Sequence, residues 1–321
     1  MTPRRALLAA PALLLAPAAA RAQAEPWPSR PVRIIVPYGA GGGTDLTARA
    51  VMEAASGRLG RPVVVENRGG AEGAIGSEAV ARATDNHTLL AQNPTHLILR
   101  HTAANLPYDP IADFQPVAIF ARYAFVLLAS VDAPFRDVPG MLAAARARPG
   151  TIGHGTPDAA SAVVGAQMCR AAGIELNDIR YPGGGPAMRD LMGGHLPLAW
   201  VSTATAMPLR SSDRVRIIAV TSPATNSLLP EIPTLASFGL GAASYEGWFG
   251  MLAPARLPRE AALRLNAEAN AALLTEPVRD RLRTLAVEPQ ALDLAATDAA
   301  IREDAARWAA AEREGLLRRG A

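Results

Sequence analysis

Short runs of β-branched and apolar residues alternate with longer stretches of helical periodicity along most of the chain. Val32-Arg33-Ile34-Ile35-Val36 predicts a strand, followed by a glycine-rich turn and a helix over residues 44–59 that Gly60 stops. Val63-Val64-Val65 predicts a second strand, residues 75–83 a helix, and Thr88-Leu89-Leu90-Ala91 a third strand. The pattern restarts after Asp113. Strands are expected over residues 125–128, 179–181, 196–201 and 215–221, with helices over 138–147, 160–172 and 186–192. Residues 245–252 read as another strand, and the remainder as helices over 259–274, 276–285 and 297–317. In the last helix Ile301, Ala305, Trp308, Ala309 and Leu316 share a face that Glu312 interrupts, so the part up to Ala309 is expected to dock on the first domain.

This alternation predicts an α/β protein whose short apolar strands form a parallel sheet covered on both faces. The element order divides the chain into a first domain (residues 25–124 and 246–321) and a second (residues 125–245). The chain then crosses between two doubly wound domains twice, with a hinge near residues 123–125 and 244–246. Two such domains enclose a cleft, and ligands of open α/β sheets bind outside the carboxyl ends of the strands.

The first residues change the reading of charge. Arg4 and Arg5 precede an apolar stretch over residues 6–20, and Ala20-Arg21-Ala22 and Ala22-Gln23-Ala24 are two small-x-small sites. That order predicts a secretory signal peptide over residues 1–24, cleaved near Ala22 or Ala24, and a periplasmic mature chain. No later stretch is long and apolar enough to be a transmembrane helix. The full chain has 32 Lys+Arg against 29 Asp+Glu; residues 1–24 hold three arginines and no acid, which leaves 29 against 29. The basic pI therefore belongs to the signal, and no basic run suggests nucleic acid. The chain contains no lysine, which excludes a lysine nucleophile, a Schiff base and a P-loop. One cysteine, Cys169, cannot form an internal disulfide, and its neighbours place it on a buried helix face.

Candidate chemistry sits in the turns. Pro37-Tyr38-Gly39-Ala40-Gly41-Gly42-Gly43-Thr44-Asp45 joins a strand to a helix. Its glycines allow close backbone approach and turn N–H groups outward at a helix N-terminus, a ready anion site. Asp45 or Thr44 can cap that helix; a capping Asp45 favours a carboxylate over a dense phosphate. A dinucleotide fingerprint fails because Thr44 or Leu46 falls where the last glycine should stand, although Glu66 at the end of the second strand keeps a nicotinamide-dependent oxidoreductase as an alternative. A second glycine turn follows at residues 67–76. Asn93-Pro94-Thr95-His96 offers amide, hydroxyl and imidazole groups after the third strand. Gly153-His154-Gly155-Thr156 precedes the helix of Ser161, and Tyr181-Pro182-Gly183-Gly184-Gly185-Pro186 ends another strand. No G-x-S-x-G elbow, H-E-x-x-H pair or Cys/His metal spacing occurs, and the five histidines are scattered. No catalytic residue, cofactor or metal is expected.

These stretches carry a family resemblance. Ile35-Val36-Pro37 through Gly42-Gly43-Thr44-Asp45 with Ala48-Arg49, Pro62-Val63-Val64-Val65-Glu66-Asn67-Arg68, Leu106-Pro107-Tyr108-Asp109-Pro110 with Asp113-Phe114, Tyr181-Pro182-Gly183-Gly184-Gly185-Pro186-Ala187, Ala219-Val220-Thr221-Ser222, Trp248-Phe249-Gly250 with Leu252-Ala253-Pro254-Ala255, and Arg264-Leu265-Asn266 occur in order. From Trp27 to Trp308 the chain resembles the Bug family, the extracytoplasmic receptors of tripartite tricarboxylate transporters. The resemblance implies a type II periplasmic-binding-protein fold, two doubly wound α/β domains closing around a ligand cleft, with no catalytic activity. It implies as partners a small carboxylate ligand and, transiently, membrane permease subunits, for a receptor expected to be monomeric; a ligand-loaded sensor role is the alternative.

Carried over by position, the turn from Tyr38 through Gly39, Ala40, Gly41, Gly42 and Gly43 to Asp45 would hold a carboxylate. Asn93 and Thr95, with His96 beside them, would line the first-domain wall, and Thr156, Ser161, Gly183 and Gly184 the second. Two departures stand out. A family histidine is replaced within Ser161-Ala162-Val163, and a strand end that often reads Phe-Asp is Trp200-Val201. Val201 cannot accept an ammonium group, so the expectation from sequence is a ligand without a charged amine, its apolar body against Trp200.

Overall fold

The computed structural model describes residues 27–315 and residue 317. The expected signal segment, residues 1–24, lies outside the described residues.

The first elements are β1 (Val32–Val36), α1 (Gly43–Leu59), β2 (Val63–Asn67), α2 (Ala74–Ala81), β3 (Thr88–Gln92) and α3 (Thr95–Thr102). Helix α1 ends where Gly60 turns left-handed, at φ 71°, a conformation that costs glycine nothing. A 17-residue strand, β4 (Phe114–Ser130), leads into α4 (Val138–Ala147), β5 (Gly153–Thr156), α5 (Ala159–Ala172), β6 (Asn177–Arg180), α6 (Gly184–Met192), β7 (Leu198–Ser202), the single turn α7 (Thr203–Ala206) and β8 (Val215–Val220). The chain closes with β9 (Glu246–Pro254), α8 (Arg259–Leu273), α9 (Glu276–Thr284), β10 (Glu288–Pro289) and α10 (Leu294–Arg313). Helices α4 and α10 are capped by Asp137 and Asp293, whose carboxylates accept the N–H of Gly140 and Ala296 at 2.8 and 2.7 Å.

The strands lie in the order β2-β1-β3-β9-β4-β7-β5-β6, with β10 and β8 also pairing to β4. Here the parallel sheet expected from sequence needs correction. Strands β1, β2 and β3 are mutually parallel, as are β5, β6 and β7, but β9 runs antiparallel to both β3 and β4. The first part of β4 is not expected from sequence, because Gln115-Pro116 and the run after it lack alternation, yet Phe114–Ala124 pairs with β9 across two register shifts, at Val117 and at Phe120. Helix α3 was read as part of a turn; its Leu97, Ile98 and Leu99 are all buried.

Strand β4 changes partners mid-course. Up to Ala124 it pairs with β9; from Phe125 it pairs with β7 and β8. One residue fastens that point. Thr221 accepts the Phe125 N–H on its hydroxyl at 2.8 Å, and that hydroxyl donates to the Tyr245 carbonyl at 2.7 Å. Its backbone N–H donates to the Phe125 carbonyl at 2.9 Å and its carbonyl accepts from Tyr245 N–H at 2.7 Å. Helix α10 covers the first half of the sheet through Trp248, whose indole N–H donates to buried Asp304 at 2.9 Å, and through Trp308 against Tyr245 at 5.6 Å between ring centroids. Glu312, which interrupts the apolar face, meets His101 Nδ1 at 2.7 Å.

Candidate functional site

Five strands end at one place. Strands β1 and β3 bring Tyr38 and Asn93 from the first half of the sheet; β5, β6 and β7 bring Asp158, Gly183 and Ser202 from the second. Each is followed by a helix whose first N–H groups have no partner inside that helix.

The first wall is built on backbone. Gly41 takes φ 80° and Gly42 opens α1 without any side-chain cap. Asp45 supports this turn from behind: its Oδ2 accepts the Gly41 N–H at 3.0 Å, and its Oδ1 accepts Arg49 Nε at 2.9 Å and Asn67 Nδ2 at 3.1 Å. The Tyr38 hydroxyl donates to Gln92 Oε1 at 2.7 Å, and Asn93 Nδ2 donates to Thr44 Oγ1 at 3.3 Å. Burial drives the Tyr38 pKa well above its ordinary value, so its hydroxyl stays protonated.

The second wall carries side chains. Asp158 is the N-cap of α5, its Oδ1 accepting the Ser161 N–H at 2.8 Å, while the Asp158 N–H donates to Ser161 Oγ at 3.2 Å. This is a capping box in which serine replaces the usual Glu or Gln. Ser202 caps α7, accepting the Thr205 N–H at 3.3 Å, and its hydroxyl lies 3.1 Å from Thr205 Oγ1. Gly183, at φ 129°, lets the turn before α6 approach the first wall: a Cβ there would sit 3.1 Å from the Gly39 nitrogen.

The walls touch. Gly39 N–H donates to the Pro182 carbonyl at 3.3 Å, Gly43 N–H to Thr205 Oγ1 at 2.9 Å, and Ala160 N–H to Thr95 Oγ1 at 3.4 Å. Outside them Arg180 reaches across to Glu72 at 3.1 Å. What remains between is a cavity of about 30 Å³. Tyr123 and Phe249 line it, their rings stacked with centroids 4.2 Å apart. Gly42 and Gly184 line it too, and their N–H groups have no hydrogen-bond partner among the described residues. A larger groove of about 660 Å³ runs along α5 beside Cys169 and touches neither the 39–43 nor the 183–185 turn. The smaller cavity is the candidate site, because every strand end described above meets there.

Comparison with known proteins settles the kinship. The family described as the tripartite tricarboxylate transporter family receptor matches residues 47–315. The chain belongs to this receptor family. A UPF0065 protein of Pseudomonas sp. (strain P51), from the tcbD-tcbE intergenic region, is 35% identical over 290 residues, covering 89% of this chain and 86% of its own. The structure of periplasmic binding protein BugD is similar at 29% identity and TM-score 0.86, covering 91% of this chain and 100% of that one. R. palustris Rpa4515, solved with adipate, is similar at 28% identity and TM-score 0.87, covering 91% and 99%. The fold is that of the type II periplasmic binding proteins.

In this Bug-type receptor the residues singled out from sequence separate into four groups. Tyr38, Gly42, Gly43, Asn93, Gly183 and Gly184 line the cavity. Gly39, Ala40 and Thr95 lie where the walls meet: a Cβ on Gly185 would stand 2.6 Å from the Ala40 carbonyl oxygen. Gly41 and Asp45 shape the first turn and Ser161 shapes α5, so none of these three is a lining group.

The remaining four placements are corrected. His96 is buried between Tyr108 and Phe114, with ring centroids at 5.8 and 4.7 Å, and its Nε2 lies 3.1 Å from the Pro110 carbonyl. Desolvation lowers its pKa to about 4, making it a neutral core histidine. Thr156 gives its hydroxyl to Asp178 on the neighbouring strand. Trp200 and Val201 point to opposite faces of β7 and both are fully buried. Val201 packs in the cluster with Val126 and Met188, and the Trp200 indole lies under α5 near Gly165. The strand runs one residue further than expected, so Ser202 arrives at the cleft in their place.

Sequence reasoning also missed Asp158, Thr205, Tyr123 and Phe249. Only Asp158 left a signal, the Asp-x-x-Ser spacing of a helix cap. Burial raises its pKa, against the opposing pull of the Ser161 hydrogen bonds and of Arg180.

Proposed function

We propose that this receptor captures a small organic carboxylate in the periplasm and delivers it to a tripartite tricarboxylate-type permease. The observation that carries the reading is the pair of unpartnered N–H groups on Gly42, the N-cap of α1, and Gly184, the first residue of α6, both of which line one cavity. Two helix N-termini of opposed walls hold an anion without a cationic side chain. The similarity to a receptor solved with adipate supports the same ligand class.

Binding proceeds by domain closure. Residues 25–124 with 246–321 form one domain and residues 125–245 the other, turning about the Phe125–Thr221–Tyr245 clasp. The chain acts as a monomer after removal of the signal near Ala22 or Ala24, and its permease contact is transient.

A thermal-shift screen of mono-, di- and tricarboxylates tests this. One class raises the melting temperature, by a stabilisation of about 2.7 kcal/mol at a ligand concentration of about 100 Kd. A flat response across all three classes, with calorimetry also silent, refutes the reading.

A further inference from the structure

The cavity contains one acidic side chain, and no arginine or histidine lines it among the described residues. That acid is Asp158. Its Oδ1 is committed to the Ser161 N–H at 2.8 Å, while its Oδ2 has no hydrogen-bond partner among the described residues. The cation nearest in influence, Arg180, is already held by two other carboxylates, Asp178 at 2.8 Å and Glu72 at 3.1 Å. The other polar groups of the lining are uncharged: Asn93, Thr44, Ser202, Thr205, Tyr38 and Tyr123. Asp158 is half-buried, so its second oxygen is open to a partner of opposite charge inside the cleft. A ligand that brought only a second carboxylate would add like-charge repulsion.

We propose that Asp158 is the specificity-determining residue of this receptor, and that its ligand is a small amino carboxylate. The ammonium group binds Asp158 Oδ2, and the carboxylate binds the N–H groups of Gly42 and Gly184. The assignment rests on the receptor function proposed above and deepens it. It also reverses the expectation drawn from Val201: that side chain is turned into the core, so the loss of an acid at that position does not bear on the ligand, whereas an acid at position 158 does. The single lining acid then plays two parts, holding the first turn of α5 with one oxygen and the ligand's ammonium with the other.

Matched pairs test this by calorimetry on the mature chain: succinate against aspartate, and butyrate against 4-aminobutyrate. Each pair differs only in the amine. In at least one pair the amino member binds at least tenfold more tightly, on the order expected for a hydrogen bond between charged groups. In Asp158→Asn, which keeps a good helix cap, that preference falls to within about threefold. Desamino acids binding as tightly as their amino partners to the wild-type chain overturn the assignment and leave the carboxylate receptor standing. An undiminished preference in a folded Asp158→Asn overturns the role of Asp158. If the variant fails to fold, the wild-type pairs alone decide. Silence from all four compounds and from the wider carboxylate screen removes the receptor reading together with this one.

Discussion

The two walls of the cleft solve the same problem with different materials. The first is made of backbone: a run of glycines braced from behind by Asp45, with Tyr38 and Asn93 as neutral neighbours. The second presents side chains, namely Asp158, Ser202 and Thr205. A backbone N–H offers the same donor whatever the ligand carries beyond its carboxylate, so Gly42 of the first wall and Gly184 of the second supply affinity common to many anions. The second wall, with its one acid, discriminates among them. Selectivity is therefore confined to the second wall while general affinity is shared, and substitutions on the two sides should fail differently.

The largest effect is expected where the walls are tightest. A Cβ on Gly43 would collide with Ser202 Oγ and lie 2.5 Å from Phe249 Cζ. Gly43→Val should therefore prop the walls apart and weaken every ligand by more than about 100-fold, or about 2.7 kcal/mol, read as loss of the ligand-induced thermal shift. Retained binding would mean that closure does not require this contact. Asp45→Ala comes next. It strips a buried acceptor from Gly41, Asn67 and Arg49, and should cost about 2 kcal/mol of folding stability in denaturant melts. Any loss of affinity should be uniform across ligands, because the first wall does not discriminate; a changed order of preference would contradict the division of labour.

Thr205→Val removes the acceptor for Gly43 N–H in the closed arrangement, and should weaken binding about tenfold, or about 1.4 kcal/mol. Wild-type affinity in that variant would show the contact to be incidental. The smallest effect belongs to Arg180→Ala. Its bridge to Glu72 joins two partly exposed side chains, so less than about 1 kcal/mol is at stake, and the difference from wild type should vanish in 1 M salt. A large, salt-insensitive loss would give the rim a role that belongs here to the interior.

The first wall was legible in the sequence and the second much less so. Three glycines after a β-branched run announce a strand, a turn and a helix N-terminus, and Val32–Val36 forms as expected. Gly60 and Asp137 mark helix ends by their own local chemistry. Asp158 gives no such notice: between Pro157 and Ala159 it reads as an ordinary cap, and only the return of β1 and β3 opposite β5 turns it toward a cavity. Trp200 and Val201 were misplaced for a related reason. Alternation assigns them to opposite faces, but whether either face meets ligand depends on where the strand stops, and Ser202 extends it by one residue. His96 shows the same limit, since imidazole looks functional in isolation and becomes ordinary once Tyr108 and Phe114 enclose it.

The contact between Gly39, Ala40 and the 183–185 turn has an evolutionary consequence. Main chain meets main chain there, with almost no side chain between. A side chain placed on Gly183 or Gly185 would meet the opposing backbone at 3.1 or 2.6 Å, so this seam tolerates almost no substitution. Position 158 lies outside this seam, so a substitution there leaves the way the jaws meet unchanged.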